Sequence, residues 1–230
     1  MERAARTTSA GWVSAIGHAL AVDGLDIAAL FQELGLDSEV LNDPDARIVQ
    51  DSMTRVWHLA VERSGNAAIG LNMAKVVRPG HFSVVGYSLM SSRTLREGFG
   101  RVVRYQRLIG ESADMLMQIE PDTCRLQFAI HGDRLPAAQQ SVEAAMAYAL
   151  AFCRWMTAQP IVPLKATFAR AEPADLAPYR ELFQCPLEFN APAHSLLMSR
   201  QVMEAPLATA NESLAKLHDR FAGDFLARFE

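Results

Sequence analysis

The chain has 230 residues, half of them hydrophobic, and a net charge of -4 at pH 7. This length allows one large domain or two small ones, and the acidic balance argues against a chain that binds nucleic acid over its whole surface. The three cysteines are widely spaced and form no CxxC pair, so neither a zinc ribbon nor a disulfide framework is indicated. The polar N-terminus and the lack of a long apolar run favour a cytoplasmic protein without a membrane segment.

Helical spacing dominates the chain as far as residue 110. Asp26 is a candidate N-cap, and Gly35 and Gly65 are candidate helix ends. A further helix is predicted at 69–76, before a Pro-Gly break. The next predicted helix places apolar residues on one face and a row of arginines on the other, namely Arg93, Arg96, Arg101, Arg104 and Arg107. That row is interpreted either as a contact for DNA, a partner or an anionic ligand, or as a solvated face.

After Gly110 the apolar residues alternate with a period of two, which predicts a β-hairpin turning at 120–123. A nearly charge-free helix at 137–158, a strand at 164–168, a helix at 173–183 and two strands after Leu187 follow. An amphipathic helix marked by Leu214 and Phe229 completes the order. The sequence β-β-α-β-α-β-β predicts an α+β fold in which a helical N-terminal half packs on a mixed sheet of about five strands, with a C-terminal linker or dimerisation helix.

Catalytic and metal-binding motifs are missing from the sequence. There is no GxGxxG, GxxxxGK[ST] or GxSxG, and no two of the six histidines have HExxH-type spacing. We therefore expect no enzyme activity, no cofactor and no metal. An enzyme would need distant residues brought together, for example His81 or His131 with Asp133 as acid and base.

Two separated segments carry a family resemblance. Residues 183–207, FQCPLEFNAPAHSLLMSRQVMEAPL, contain Phe-x-Cys-Pro-x-x-Phe before a short apolar strand and a Pro-Leu pair. Residues 70–109 add a Gly-Leu helix, a helix centred on Gly86, a Ser-x-x-Thr-Leu turn and an Arg-Tyr pair near the end of a helix. Together they resemble the N-terminal effector-sensing domain, of the arabinose-binding type, found in one branch of the AraC/XylS transcription regulators.

The resemblance implies a domain plan and a function. Residues 1–205 would form the ligand-sensing regulatory domain, with a helical part at 9–110 and an α+β part at 111–205. Residues 206–230 would form the linker or dimerisation helix, and the helix-turn-helix DNA-binding domain would be absent from this chain. A small effector would modulate dimerisation or promoter binding by that missing domain. The alternatives are a ligand-free dimerisation module and, less favoured, an enzyme.

The expected effector is an apolar carboxylate, such as a fatty acid or another organic acid. Its candidate anchors are Arg78, His81, Arg104 and His131, and its candidate walls are Phe82, Tyr105, Phe128 and Trp155. The homodimer or linker contact is expected on the apolar face of the last helix, at Leu214, Leu217, Phe221 and Phe225.

Overall fold

The computed structural model describes residues 4–227. Its N-terminal half is helical, as predicted. The α-helices there are α1 (Ala10–Ala21), α2 (Ile27–Glu33), α3 (Gln50–Ser64), α4 (Ser83–Met90) and α5 (Leu95–Ile109). Short 3-10 helices at Glu39–Asn42, Ile69–Lys75 and Pro79–Phe82 join them.

Local capping groups fix several of these helix ends. The Asp26 carboxylate accepts a hydrogen bond from the backbone N–H of Ala28 at 3.1 Å, which confirms it as the N-cap of α2. Thr94 caps α5 through the N–H of Glu97 at 3.2 Å. Gly65 ends α3 with φ 68°, in the left-handed region that favours glycine. These ends are therefore encoded in neighbouring residues.

Two features of this half differ from the sequence expectation. The segment Ile69–Lys75 is a 3-10 helix, and it packs so closely on the later helix at 139–157 that a Cβ added at Gly70 would lie 2.5 Å from the carbonyl oxygen of Gln140. A two-stranded antiparallel sheet also joins β1 (Thr7–Ser9) to β2 (Arg47–Val49). Strands of three residues are too short to show alternation in a sequence.

The second half contains the predicted sheet. Its elements are β3 (Ala113–Ile119), β4 (Thr123–Ile130), α6 (Gln139–Thr157), β5 (Lys165–Thr167), α7 (Ala177–Phe183), β6 (Leu187–Glu188) and β7 (His194–Ser199). The five strands lie in the order β3-β4-β7-β5-β6, antiparallel except for the parallel β5–β6 pair. The α+β class, the five-stranded mixed sheet and the β-β-α-β-α-β-β order are thus confirmed.

Helix α6 lies at the centre of the core, which explains its apolar sequence. Tyr148, Leu150 and Phe152 are buried, and the helix contacts both the Ile69–Lys75 segment and the sheet. Its single acidic residue, Glu143, is fully buried and accepts hydrogen bonds from Arg170 and from the Tyr179 hydroxyl. An ion pair therefore ties α6 to α7 and to the loop after β5.

The chain then forms α8 (Arg200–Glu204) and α9 (Glu212–Leu226). Helix α9 packs on α4 and α5 through its small residues, with Ala215 and Ala222 buried. Two larger apolar residues, Leu217 and Phe221, are 52% and 61% exposed, whereas Phe225 and Leu226 are partly buried against the core. The predicted amphipathic helix is confirmed over these residues, while Phe229 lies outside the described part of the chain.

Much of the arginine face of α5 binds carboxylates of this chain. Arg93 pairs with Glu97 at 3.0 Å, and Arg96 pairs with Glu204 at 2.6 Å. Arg101 is largely buried and holds the Asp219 carboxylate of α9 at 3.0 Å. The face is therefore in good part an internal contact surface.

Candidate functional site

An apolar cavity of about 90 Å³ lies between α1, α3, α5, α6 and the β3–β4 hairpin. Five aromatic side chains contribute to its lining: Trp12, Trp57, Phe82, Phe99 and Phe128. Met53, Val102, Met115 and alanines of α6 complete much of the apolar wall. A mostly apolar cleft with a few polar groups is the usual form of a small-molecule site, so this cavity is the candidate site.

One end of the cavity is polar. Gln50 and Ser112 both line it, and each is only 3% exposed. The Ser112 hydroxyl donates to Gln50 Oε1 at 2.8 Å. No hydrogen bond to the Gln50 Nε2 group is formed by residues 4–227. Because this amide can donate two hydrogen bonds, the polar end presents a free donor to the cavity.

The backbone explains how these two residues meet. Gln50 is the first residue of α3, and its backbone N–H donates to the Arg6 carbonyl at 2.9 Å beside β1. Ser112 precedes β3, where the Ser112 carbonyl accepts from the His131 N–H at 2.8 Å. The short β1–β2 sheet and the base of the hairpin therefore converge at this end of the cavity.

Four other polar residues line the cavity. The Thr8 hydroxyl donates to the Ile109 carbonyl at 3.2 Å. The side-chain Oε1 of Gln106 accepts from the Met115 backbone N–H at 2.6 Å, so this side-chain amide joins α5 to β3. The buried Ser141 hydroxyl has no hydrogen-bond partner among the described residues. Asp114 is about half exposed and lies 3.7 Å from the imidazole of His131. No arginine, lysine or histidine from the described part of the chain belongs to the lining.

Of the eight residues predicted to bind the effector, Phe82 and Phe128 line this cavity. Tyr105 is buried on another face of α5, where its hydroxyl donates to the Asp219 carbonyl at 3.2 Å. The Arg104 guanidinium lies 5.2 Å from the Tyr105 ring. Trp155 and His131 are exposed. The structure does not bring these four together with the two phenylalanines.

Of the remaining two predicted residues, Arg78 precedes the 3-10 helix Pro79–Phe82 and His81 lies within it. His81 is buried, with Nδ1 3.2 Å from the Tyr148 hydroxyl, which in turn donates to the Arg78 carbonyl at 2.6 Å. Burial, with smaller contributions from His18 and Arg78, lowers the pKa of His81 to about 4. The imidazole is therefore neutral near pH 7 and offers no charge to an anion there.

We expect the buried imidazole to make the protein acid-sensitive. Histidine has a pKa of 6.5 in the unfolded chain, whereas His81 in the folded protein has a pKa of about 4. The unfolded state therefore binds the proton first, and the free energy of unfolding falls as the pH drops from about 6.5 towards 4. The loss should reach about 3 kcal/mol, at about 1.4 kcal/mol per pKa unit. His81→Gln should remove this part of the profile in urea unfolding between pH 4 and pH 7. If the stability of the variant depended on pH as steeply as that of the wild type, His81 would not be the source of the acid sensitivity.

Sequence reasoning missed Gln50 and Ser112. Neither belongs to a motif, and both residue types are common on surfaces.

Among residues 4–227 no group of three or more His, Cys, Asp or Glu side chains could hold a metal ion. Within the same residues, none of the helices has the length and hydropathy needed to cross a membrane.

Comparison with known proteins identifies the domain. The profile of the family described as the arabinose-binding domain of AraC transcription regulators, N-terminal, matches residues 24–207. This chain belongs to that family. The match covers the helical half from α2 onward, the whole sheet and the start of the segment before α9, so the resemblance seen in the sequence is confirmed.

Individual relatives of this AraC-type domain are also regulators. An ornithine utilization regulator of Pseudomonas aeruginosa is 24% identical over 208 residues, which make up 90% of this chain and 61% of that protein. An uncharacterized HTH-type transcriptional regulator of Mycobacterium tuberculosis is 28% identical over 180 residues, or 77% of this chain and 50% of the relative. The chain thus spans half to about three fifths of these relatives' length.

A solved structure shares the fold. The crystal structure of the transcriptional regulator CdpR from Pseudomonas aeruginosa superimposes with a TM-score of 0.61 at 14% identity. The superposition covers 84% of this chain and 59% of that one. This similarity shows that the two proteins share a fold.

Proposed function

We propose that this domain is the effector sensor of a bacterial AraC-type transcription regulator, and that the effector binds in the cavity between the helical half and the β3–β4 hairpin. The observation that carries the proposal is the apolar lining of this cavity together with the buried polar pair of Gln50 and Ser112. Promoter binding would reside in a helix-turn-helix domain outside this chain. We also propose that the protein is cytoplasmic and that this domain catalyses no reaction.

The apolar lining agrees with an effector that has an apolar part. The protein residues proposed as a cationic anchor for its carboxylate do not belong to the lining. Arg78, His81, Arg104 and His131 all lie outside the lining. We therefore retain an apolar effector, with Phe82 and Phe128 among its proposed contacts, and withdraw these four residues as proposed anchors. Tyr105 and Trp155 are likewise not walls of this cavity.

Helix α5 supplies a physical route from the cavity to α9. Phe99 and Val102 of α5 line the cavity. On another face of α5, Arg101 holds the Asp219 carboxylate at 3.0 Å and the Tyr105 hydroxyl holds the Asp219 carbonyl at 3.2 Å. A ligand that favours one position of α5 would bias the position of α9 by its differential affinity for the two arrangements.

The exposed face of α9 is the proposed homodimer or linker contact. Leu214, Leu217 and Phe221 are each at least 46% exposed, and the Phe221 and Phe225 rings stack at 6.4 Å. Such a stripe is unfavourable in water and typical of an interaction surface. It also supports the second candidate function, a ligand-free dimerisation module, which would have the same stripe but no effector.

Removing this stripe should weaken self-association. We expect the Leu217→Ala, Phe221→Ala double variant to sediment as a monomer at concentrations where the wild-type domain sediments as a dimer. Leu164→Ala removes a similarly exposed leucine, 48% exposed, at the start of the β5 region, and should leave the dimer intact. An unchanged distribution in the double variant would rule out α9 as the dimer contact.

The enzyme alternative gains no support from the candidate residues. The Asp133 carboxylate accepts a hydrogen bond from the Arg6 backbone N–H at 2.7 Å. His131 faces Asp114, and His81 is buried against Tyr148. The suggested acid and base are therefore not joined in the described residues.

A thermal-shift screen tests the sensor proposal. The domain would be heated with fatty acids, amino acids, organic acids and their uncharged analogues. A ligand at 100 times its dissociation constant stabilises the folded state by about 2.7 kcal/mol, which raises the Tm by several degrees in a domain of this size. A hit within one chemical class would support a sensor. The same Tm in every class would favour the ligand-free module.

A further inference from the structure

We propose that the effector is uncharged: a compact apolar group carrying one neutral hydrogen-bonding group, such as an amide or another carbonyl, held by Gln50 and Ser112. This inference rests on the proposed function and specifies the chemistry of the same cavity. It replaces the apolar carboxylate that the sequence suggested.

The size of the cavity restricts the apolar group. An engineered apolar cavity of about 150 Å³ admits one benzene molecule, whereas this cavity measures about 90 Å³. Only a short part of an extended fatty-acid chain could lie within a cavity of this size. A branched unit of four or five carbons is of the right order, in contact with Trp57, Phe82 and Phe128.

The polar end selects the hydrogen-bonding group. Gln50 and Ser112 are both more than nine-tenths buried, and the Ser112 hydroxyl already donates to Gln50 Oε1 at 2.8 Å. This leaves the Gln50 Nε2 hydrogens as donors and the Ser112 oxygen lone pairs as acceptors. A primary amide matches both, because its carbonyl accepts and its NH₂ donates. A ligand that pairs with both groups gains hydrogen bonds that an apolar molecule of the same size cannot make.

A negative charge has no compensation in this cavity. The described lining contains no cationic side chain, and its only ionisable group is the carboxylate of Asp114 at the rim. Moving a carboxylate from water into such a site costs much more than moving a neutral amide of the same shape. An anion should therefore bind far more weakly than its amide.

A positive charge is the closer competitor, because aromatic faces attract cations and five aromatic residues line the cavity. Two observations disfavour it. Asp114 is about half exposed and faces His131 at 3.7 Å, so its charge is largely shared with solvent and the imidazole. The polar end also holds the Gln50 Nε2 donor beside the Ser112 acceptor, and an ammonium group, which only donates, leaves that donor unmatched.

Three probes of nearly equal shape separate these cases: isovaleramide, isovalerate and isopentylammonium. Each would be titrated into the domain labelled at its methionine methyl groups, because Met53 and Met115 line the cavity. We expect isovaleramide to shift these two signals with a dissociation constant at least tenfold lower than either ion. Met198 and Met203 are buried outside the lining and serve as internal references.

Two variants test the assigned contacts. Gln50→Leu and Ser112→Ala should each weaken isovaleramide binding by about tenfold, the usual effect of losing a buried hydrogen bond. Gln139→Leu makes the same change at an exposed position of α6 outside the lining and should bind like wild type. Should Gln50→Leu fail to fold, the Ser112→Ala titration and the wild-type comparison of the three probes decide the question.

The possible outcomes separate this inference from the proposed function. If isovalerate or isopentylammonium shifts Met53 and Met115 at lower concentration than the amide, the effector is charged and only the inference fails. Wild-type affinity in both Gln50→Leu and Ser112→Ala would refute the assigned polar contacts. If none of the three probes shifts either signal, the inference fails, and the sensor proposal loses the cavity on which it rests.

Discussion

Replacing Arg170 with methionine is expected to lower the free energy of unfolding by about 3 to 5 kcal/mol, the range found when one partner of a buried ion pair is removed. Glu143 is fully buried in α6, and its Oε1 atom accepts from Arg170 and, at 2.7 Å, from the Tyr179 hydroxyl. Its Oε2 atom has no partner in the described residues. Urea unfolding at neutral pH measures the loss.

The pH dependence of this variant has a definite sign. Burial raises the pKa of Glu143, while Tyr179 and Arg170 lower it. Without Arg170 the opposing charge is lost and the pKa rises further, so the folded variant binds a proton more readily than its unfolded state. Stability should therefore recover as the pH falls towards the unfolded glutamate value near 4.3. A constant loss at all pH values would contradict this explanation.

Replacing all three members of the cluster is the matched control. The Glu143→Leu, Arg170→Met, Tyr179→Phe variant leaves no buried charge and no unpaired hydroxyl. Buried ion pairs can often be replaced by apolar residues of similar size at little cost, so this variant should unfold close to the wild-type midpoint. If Arg170→Met alone costs less than about 1 kcal/mol, the pair does not fasten the α7 segment to α6.

The second large effect is expected from filling the cavity. Ala149 lies on α6 and lines the cavity. An indole at this position would occupy the space near Phe82 and Phe128. We expect Ala149→Trp to weaken the binding of any effector by at least a hundredfold, so that a ligand found in the thermal-shift screen no longer raises the Tm. Overpacking should cost about 1 to 3 kcal/mol of stability.

A tryptophan elsewhere on α6 controls for that cost. Ala151 is 9% exposed and does not belong to the lining. Ala151→Trp should be destabilised to a similar degree and keep the thermal shift. If the effector raised the Tm of both variants equally, it would bind outside this cavity.

The fold was largely predictable because its determinants are local. Asp26 caps its own helix, Gly65 ends another in the left-handed region, and Pro121 lies in the turn between two alternating strands. The pairing of β1 with β2 was not predictable in this way. It joins residues about 40 positions apart through three-residue strands, and no local pattern records such a contact.

The site was much less predictable, for a related reason. Phe82 and Phe128 could be proposed as walls because large apolar residues near the core are common cavity neighbours. Gln50 and Ser112 each lie at the edge of an element, and only the tertiary fold brings them to 2.8 Å. Arg104 was proposed for its charge, but charge alone does not reveal which face of a helix meets the cavity.

The most direct test of the sensor proposal is a methyl NMR titration of the methionine-labelled domain. Isovaleramide is added first, and then pooled metabolites from each chemical class used in the thermal-shift screen. The account predicts that isovaleramide and at least one pool shift the signals of Met53 and Met115 and leave those of Met198 and Met203 in place. The shifts should vanish in Ala149→Trp. If Met53 and Met115 stay unmoved throughout, or if ligands shift only the reference methionines, the cavity is not the effector site.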